Sequence, residues 1–213
     1  MQERWEVIPT QKRFRLAGLF AALFFFIIII FLAAFFLGII RIEGDQVGIV
    51  EKKLGGGSLP EGRVIAVKGE NGIQAQTLAP GWHLFYWPWQ YDIIKVSMLE
   101  VKQGSVGIIQ ALDGRSLPPD TVYASEWTEP DKMLTAEYFL DPSKGDGYKG
   151  PQLTVLKPGK YRINTKLFQI KQVPVTDVPI GKVGVIKSNV GDIAQTEDRL
   201  VEVGQRGVWK KPL

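Results

Sequence analysis

Few residues in this chain have the type and spacing that chemistry needs. There is one histidine, His83, and no cysteine. A single imidazole can act as a base, but a zinc site built on several histidines is excluded, as are disulfides, thiolate chemistry and Cys-ligated metals. The carboxylates of Glu43, Asp45 and Glu51 could pair as acid and base or hold a cation. Nothing in their spacing fixes them together, and carboxylates at strand ends are ordinarily solvated. Gly55-Gly56-Gly57-Ser58 has the glycine density of a phosphate loop but neither the G-K-[ST] ending nor the helix whose N-terminus would meet a phosphate, so it reads as a flexible turn. The motifs G-x-S-x-G, H-E-x-x-H and the EF-hand loop do not occur. The residues therefore name no catalytic group, no cofactor and no metal ligand.

The most unusual polar-and-apolar cluster is aromatic: Trp82-His83-Leu84-Phe85-Tyr86-Trp87-Pro88-Trp89-Gln90-Tyr91. Trp and Tyr favour a membrane–water boundary, where the ring is buried and its N–H or O–H stays wet. Trp82, Phe85, Tyr86, Trp87, Trp89 and Tyr91 are the candidate interface residues. The competing reading is that alternate residues fill a core.

What would hold such a cluster at a membrane is the run Leu16 to Ile40, 25 residues without a charge. As a helix rising ~1.5 Å per residue it reaches roughly 37 Å, enough to cross a ~30 Å hydrocarbon layer with some tilt. It has no polar side, unlike a buried helix of a soluble core. It is also much longer than the apolar core of a cleaved signal peptide. The reading is a tail (1–15), an uncleaved single-pass transmembrane helix (16–40) and a water-soluble region (41–213). Lys12, Arg13 and Arg15 lie close before the helix, with Arg4 further out; Arg41, Lys52 and Lys53 follow it. The positive-inside rule then favours an extracytoplasmic soluble region. Of 26 Lys and Arg, four precede the apolar run, and of 22 Asp and Glu, two do, so the soluble region carries only about +2. That is no footprint for nucleic acid.

The soluble region reads as strands and turns, an α+β class with little helix. Segments 46–52, 63–67, 91–96, 105–111, 167–173 and 182–188 are short, rich in Val and Ile, and bounded by Gly or Pro. One segment differs: Thr128-Glu129-Pro130-Asp131 resembles a capping box and predicts one short helix over 129–140, followed by a loop over 141–152.

An internal repeat organises these strands into units over 44–104, 105–181 and 182–213. Each opens on Val-Gly: Val47-Gly48, Val106-Gly107 and Val183-Gly184. Each later carries a Gly six residues before a Leu: Gly72 to Leu78, Gly150 to Leu156 and Gly207 to Leu213. In two units that Leu opens L-x-P-G, followed by His83 or Tyr161, which gives His83 a structural slot. The pattern predicts a crossing strand, a Pro-Gly turn and a returning strand such as Tyr161–Asn164. Leu213 falls where the third turn would begin, and the expectation is that the intact protein continues beyond it, with residues past about Asp192 loosely packed.

From Gly44 onward the chain resembles the SPFH, or band 7, family of stomatin, prohibitin and flotillin relatives, and most closely its longer flotillin-like bacterial members. The resemblance is carried by Val47-Gly48-Ile49-Val50-Glu51-Lys52-Lys53, Leu59-Pro60-Glu61-Gly62-Arg63-Val64-Ile65-Ala66, Gly72-Ile73-Gln74-Ala75, Leu78-Ala79-Pro80-Gly81-Trp82-His83 with Tyr86-Trp87-Pro88-Trp89-Gln90-Tyr91, and Pro158-Gly159-Lys160-Tyr161-Arg162-Ile163-Asn164-Thr165. It implies a non-enzymatic membrane scaffold that forms homo-oligomers, organises lipid or protein microdomains and partners membrane proteases or other membrane proteins. The alternatives from other classes are an anchored extracytoplasmic adaptor for another membrane complex and a membrane-bound hydrolase. The family's long charged coiled-coil region does not occur in these 213 residues.

Overall fold

A computed structural model describes residues 10–119, 121–145, 147–193, 200–201 and 205–209. Its first element is a 28-residue helix, α1 (Thr10–Leu37). Within it Gly18–Leu37 is long and apolar enough to cross a membrane. The helix stops where Gly38 takes a left-handed φ of 56° and its N–H turns back 3.3 Å to the Phe35 carbonyl. Glycine enters this conformation without a Cβ penalty. The helix is therefore shorter at this end than the apolar composition suggests. Ile40, expected as its last residue, instead opens the first strand. Hydrophobicity alone cannot separate a helix from the apolar strand that follows it.

Six strands come next: β1 (Ile40–Ile42), β2 (Gln46–Lys52), β3 (Ile65–Ala66), β4 (Gly72–Leu78), β5 (Gly81–His83) and β6 (Tyr91–Ser97). β2 is central, antiparallel to β4 and β6, with β3 parallel to β4; β1 pairs separately with β5. A second set follows: β7 (Leu99–Val101), β8 (Ser105–Ala111), β9 (Gly150–Leu156), β10 (Gly159–Tyr161) and β11 (Phe168–Pro174). Here β8 is central between β9 and β11, and β7 pairs with β10. The two registers run side by side. Gly48 faces Leu78 and Lys52 faces Gly72, while Gly107 faces Leu156 and Ala111 faces Gly150. Each ladder breaks register at one point, between Ile49 and Glu51 and between Ile108 and Gln110. Lys52 faces Tyr91, and Ala111 faces Phe168. The returning strand of the second set is thus Phe168–Pro174. Tyr161 belongs to β10, and Asn164 sits in the turn between the two.

The glycine of each Val-Gly pair has a steric cause. A Cβ on Gly48 would lie 2.9 Å from Ile42 Cδ1 and 3.0 Å from Leu78 Cβ; on Gly107 it would lie 3.0 Å from Ile170 Cγ2 and 3.2 Å from Leu156 Cβ. Three neighbouring strands bring side chains over this position, and only a residue without one fits.

The remaining strands are β12 (Lys187–Ser188), β13 (Asp192–Ile193), β14 (Leu200–Val201) and β15 (Gln205–Trp209), with β15 contacting the other three. Two expected strands come out much shorter: 63–67 pairs only at Ile65–Ala66 and 182–188 only at Lys187–Ser188. Leu213 lies outside the described residues. The single helix expected over 129–140 is two, α2 (Pro130–Leu134) and α3 (Ala136–Leu140), broken at Thr135 with φ −79° and ψ 103°. On a continuous helix Leu134 and Phe139 would point about 140° apart. Both are buried in one core, and the break at Thr135 turns them to the same side. The expected loop also ends early, at β9.

That core joins the two strand sets. Ile65 and Ala75 pack with Val101, Ile109, Ala111, Met133, Phe139, Leu156, Leu167 and Phe168. Buried Asp113 ties them further: its Oδ2 accepts the N–H groups of Val64 and Ile65, each at 2.8 Å, and Arg63 Nε lies 2.9 Å from Oδ1. The Arg63 N–H is not aimed along that line, so this contact is an ion pair and not a directed hydrogen bond. Buried Asn164 donates its Nδ2 to the Gln74 carbonyl at 3.0 Å.

Candidate membrane interface

An α-helix ends with four carbonyls that have no partner inside it. In α1 these lie at the end of an apolar span, where an unpaired carbonyl is costly. The aromatic loop 84–90 supplies the donors. Phe85 N–H donates to the Leu37 carbonyl at 2.6 Å, Tyr86 N–H to the Gly38 carbonyl at 2.9 Å, and the Trp87 indole N–H to the Phe36 carbonyl. With Gly38 on Phe35, every carbonyl from Phe35 to Gly38 has a donor. A Cβ at Gly38 would meet the Tyr86–Trp87 backbone at 2.7–2.8 Å, so the closeness of this contact itself requires glycine.

Rings reinforce the joint. Trp89 lies 5.1 Å from Phe35 and 6.4 Å from Phe36, and stacks on Trp87 at 6.0 Å with 12° between planes. Phe85, beside them, is the one non-glycine described residue with positive φ, 68°. A comparison of turns gives the reason. Gln90 and Tyr91 N–H donate to the Trp87 carbonyl just as Leu167 and Phe168 N–H donate to that of Asn164. From His83 to Trp87 there is one residue more than from Tyr161 to Asn164. The extra residue bulges out at Phe85. Trp87 then aims its indole N–H at the helix end, where Asn164 aims its amide at β4.

The six candidate aromatics divide into two groups. Tyr86 and Tyr91 turn inward, their rings 5.4 Å apart, and pack on Ile42, Val50 and Leu78. Burial pushes the Tyr86 phenol up, and Tyr91 adds to the shift. Trp82, Phe85 and Trp89 are exposed, at 68%, 56% and 44%, and Leu84 is exposed with them. Trp87 is half-buried between the groups. Arg41, the first charge after the helix, places its guanidinium 5.4 Å from the Trp82 ring.

No protein-family model, no curated protein and no solved structure matches the chain.

His83 Nε2 lies 2.7 Å from the Ala79 carbonyl, which only accepts, so Nε2 carries the proton. Tyr161 donates its hydroxyl to the Lys157 carbonyl at 2.8 Å in the corresponding turn. Glu43 and Asp45 are exposed on the turn before β2, and Glu51 lies at its far end facing Asp92. Among the described residues no three metal-ligating side chains converge. Sequence reasoning gave no structural role to the two glutamines of the Gly-x-Gln segments, Gln74 and Gln152. Gln74 Nε2 donates to the Glu70 and Gly72 carbonyls, and Gln152 Nε2 to those of Tyr148 and Gly150. Their matched place two residues after Gly72 and Gly150 was the available signal.

Proposed function

We propose that the chain is a single-pass membrane scaffold of SPFH type, which uses a rigid helix-to-sheet joint to hold repeated β-units at a fixed attitude to the membrane. The observation that carries this reading is the capping of the Phe36, Leu37 and Gly38 carbonyls, at the end of α1, by the loop that connects β5 to β6. A flexible tether would suffice for an enzyme needing only to stay near a membrane. A joint in which the anchor's terminal carbonyls are bonded by the soluble part transmits orientation, which is what a platform for assembly needs. Trp82, Phe85, Trp89 and Leu84 then rest in the interfacial layer beside the anchor. The partners are membrane lipid, further copies of the chain, and membrane proteases or other membrane proteins.

The repeated unit is part of the proposal. The matching registers of β2 and β8, their single breaks, the paired Val-Gly sites and the twin Gln and turn contacts support one unit used twice in full and opened a third time. The basic residues just before the apolar run, Lys12, Arg13 and Arg15, favour an extracytoplasmic soluble region.

Crosslinking in intact membranes tests the scaffold. A ladder of self-multiples is expected. A single crosslink to one foreign protein favours the adaptor reading instead. Reporter fusions at the C-terminal end test the orientation: an active exported reporter is expected, and an active cytoplasmic one reverses it.

A further inference from the structure

A cleft of about 360 Å³ opens beside the anchor joint. The loop that caps α1 lines it through Leu84, Phe85 and Tyr86, the first strand set through Lys52 of β2 and Tyr91 of β6, and α3 through Glu137. Phe85 is bonded to Leu37, the last residue of the apolar span, so the cleft begins at the level where the span ends. Among the described residues two charged side chains line the cleft, one cation and one carboxylate, and they do not pair with each other. Lys52 Nζ donates to the Gly69 carbonyl at 2.9 Å, a neutral acceptor that leaves its charge unmatched and two of its three protons to give. Glu137 is exposed and has no described hydrogen-bond or ion-pair partner on its carboxylate. The sheet itself does not require the lysine. Lys52 faces Gly72 and Tyr91, and the matching residue of the second strand set, facing Gly150 and Phe168, is buried Ala111.

We propose that this cleft binds the headgroup of a membrane phospholipid bearing a primary ammonium, its phosphodiester on Lys52 and its ammonium on Glu137. This inference rests on the reading of the loop 84–90 as a membrane interface. One unmatched cation and one unmatched carboxylate in a single cleft suit a zwitterion, because each of its charges meets the opposite one. Lysine holds a phosphate as a point charge with hydrogen bonds to give. A carboxylate accepts from a primary ammonium, whereas a trimethylated choline nitrogen has no N–H to donate and a glycerol headgroup has no cation. A headgroup with net negative charge gains at Lys52 but is repelled at Glu137. The source is the bilayer and not a free headgroup. Leu84 and Phe85 are exposed at the side of the cleft that meets the end of α1, and acyl chains leaving past them cover apolar surface that a free headgroup would leave wet.

The test uses the full chain, extracted in mild detergent from liposomes of equal parts phosphatidylethanolamine, phosphatidylcholine and phosphatidylglycerol, with native mass spectrometry to count the lipids retained. Phosphatidylethanolamine should be retained about fivefold in preference to each of the others, the size of one partly exposed ionic contact. Glu137→Gln alters an exposed side chain and should abolish the preference for ethanolamine over choline while a phospholipid is still held. Lys52→Met should lower the retention of all three lipids about fivefold. Lys52→Arg keeps the charge and a donor for the Gly69 carbonyl and should restore it. Equal retention of the three lipids, a preference for phosphatidylglycerol, or an unchanged preference in Glu137→Gln overturns the proposal. So does displacement by glycerophosphoethanolamine at concentrations equal to the lipid's, which assigns the cleft to a soluble headgroup. Quenching of Trp89 by brominated lipid separates the two levels. If Trp89 is quenched and no preference appears, only the headgroup site fails. If Trp89 is not quenched, the interface reading fails with it.

Discussion

Trp87→Phe isolates one hydrogen bond of the anchor joint. The ring that stacks on Trp89 is kept in kind, and the indole N–H that reaches the Phe36 carbonyl is lost. An ordinary hydrogen bond contributes a net ~0.5–1.5 kcal/mol, and leaving a buried acceptor unpaired costs ~1–3 kcal/mol. Trp87 is only half-buried, so water takes over part of the bond, and the lower range applies: about 1 kcal/mol. The loss weakens the closed joint relative to its open form. The readout is amide exchange of Phe85 and Tyr86, whose N–H groups donate to the next two carbonyls, Leu37 and Gly38. In nanodiscs these amides should exchange about fivefold faster, the factor that ~1 kcal/mol gives. Trp89→Phe is the control: it also loses an indole N–H, from a ring whose described contacts are ring-to-ring. Equal acceleration in both variants, or none in Trp87→Phe, would refute the view that this bond couples helix to sheet.

Three further outcomes follow from the same geometry. In variants retaining one tryptophan, brominated lipid should quench Trp89, which is exposed beside α1, and leave Trp127, which stacks on Phe139 at the core, unaffected; equal quenching would return Trp89 to a position away from lipid. Gly107→Val should lower the stability of the detergent-solubilised chain by ~1–3 kcal/mol in denaturant titration, because the new side chain meets Ile170, Leu156 and Val101 at once. The Asp141 carboxyl accepts the Ser143 hydroxyl and N–H and pairs with Lys144, which holds its pKa down at about 2. A depressed folded-state pKa favours the folded loop above the ordinary Asp value, and the contribution is lost as pH falls towards about 2. The Ser143 amide NMR signal should therefore titrate with a midpoint near 2; a midpoint near ~3.9 would show that the contacts are not kept in solution.

The local order of the chain was legible without coordinates because its signals are local. Strands 46–52 and 105–111 come out with the bounds that Val, Ile and flanking Gly indicate, since side-chain period and turn chemistry act within a few residues. The apolar run gave the helix for the same reason; β4 and β9 were not among the expected strands, although the matched Gly and Leu spacings bound them. Where α1 stops was not legible. Ile39 and Ile40 are as apolar as the helix, and only the loop 84–90, far along the chain, needs Gly38 to turn there. The break at Thr135 likewise depends on one core receiving both Leu134 and Phe139. The aromatic stretch announced itself by composition. Which rings are exposed and which face Ile42 and Val50 was set by one extra residue, bulged at Phe85, and by the pairing of β5 and β6 on different partners. Asp113 and Asn164 gave no sequence signal, because their hydrogen-bond partners are 48–49 and 90 positions away and come near only when the two strand sets close on a shared core.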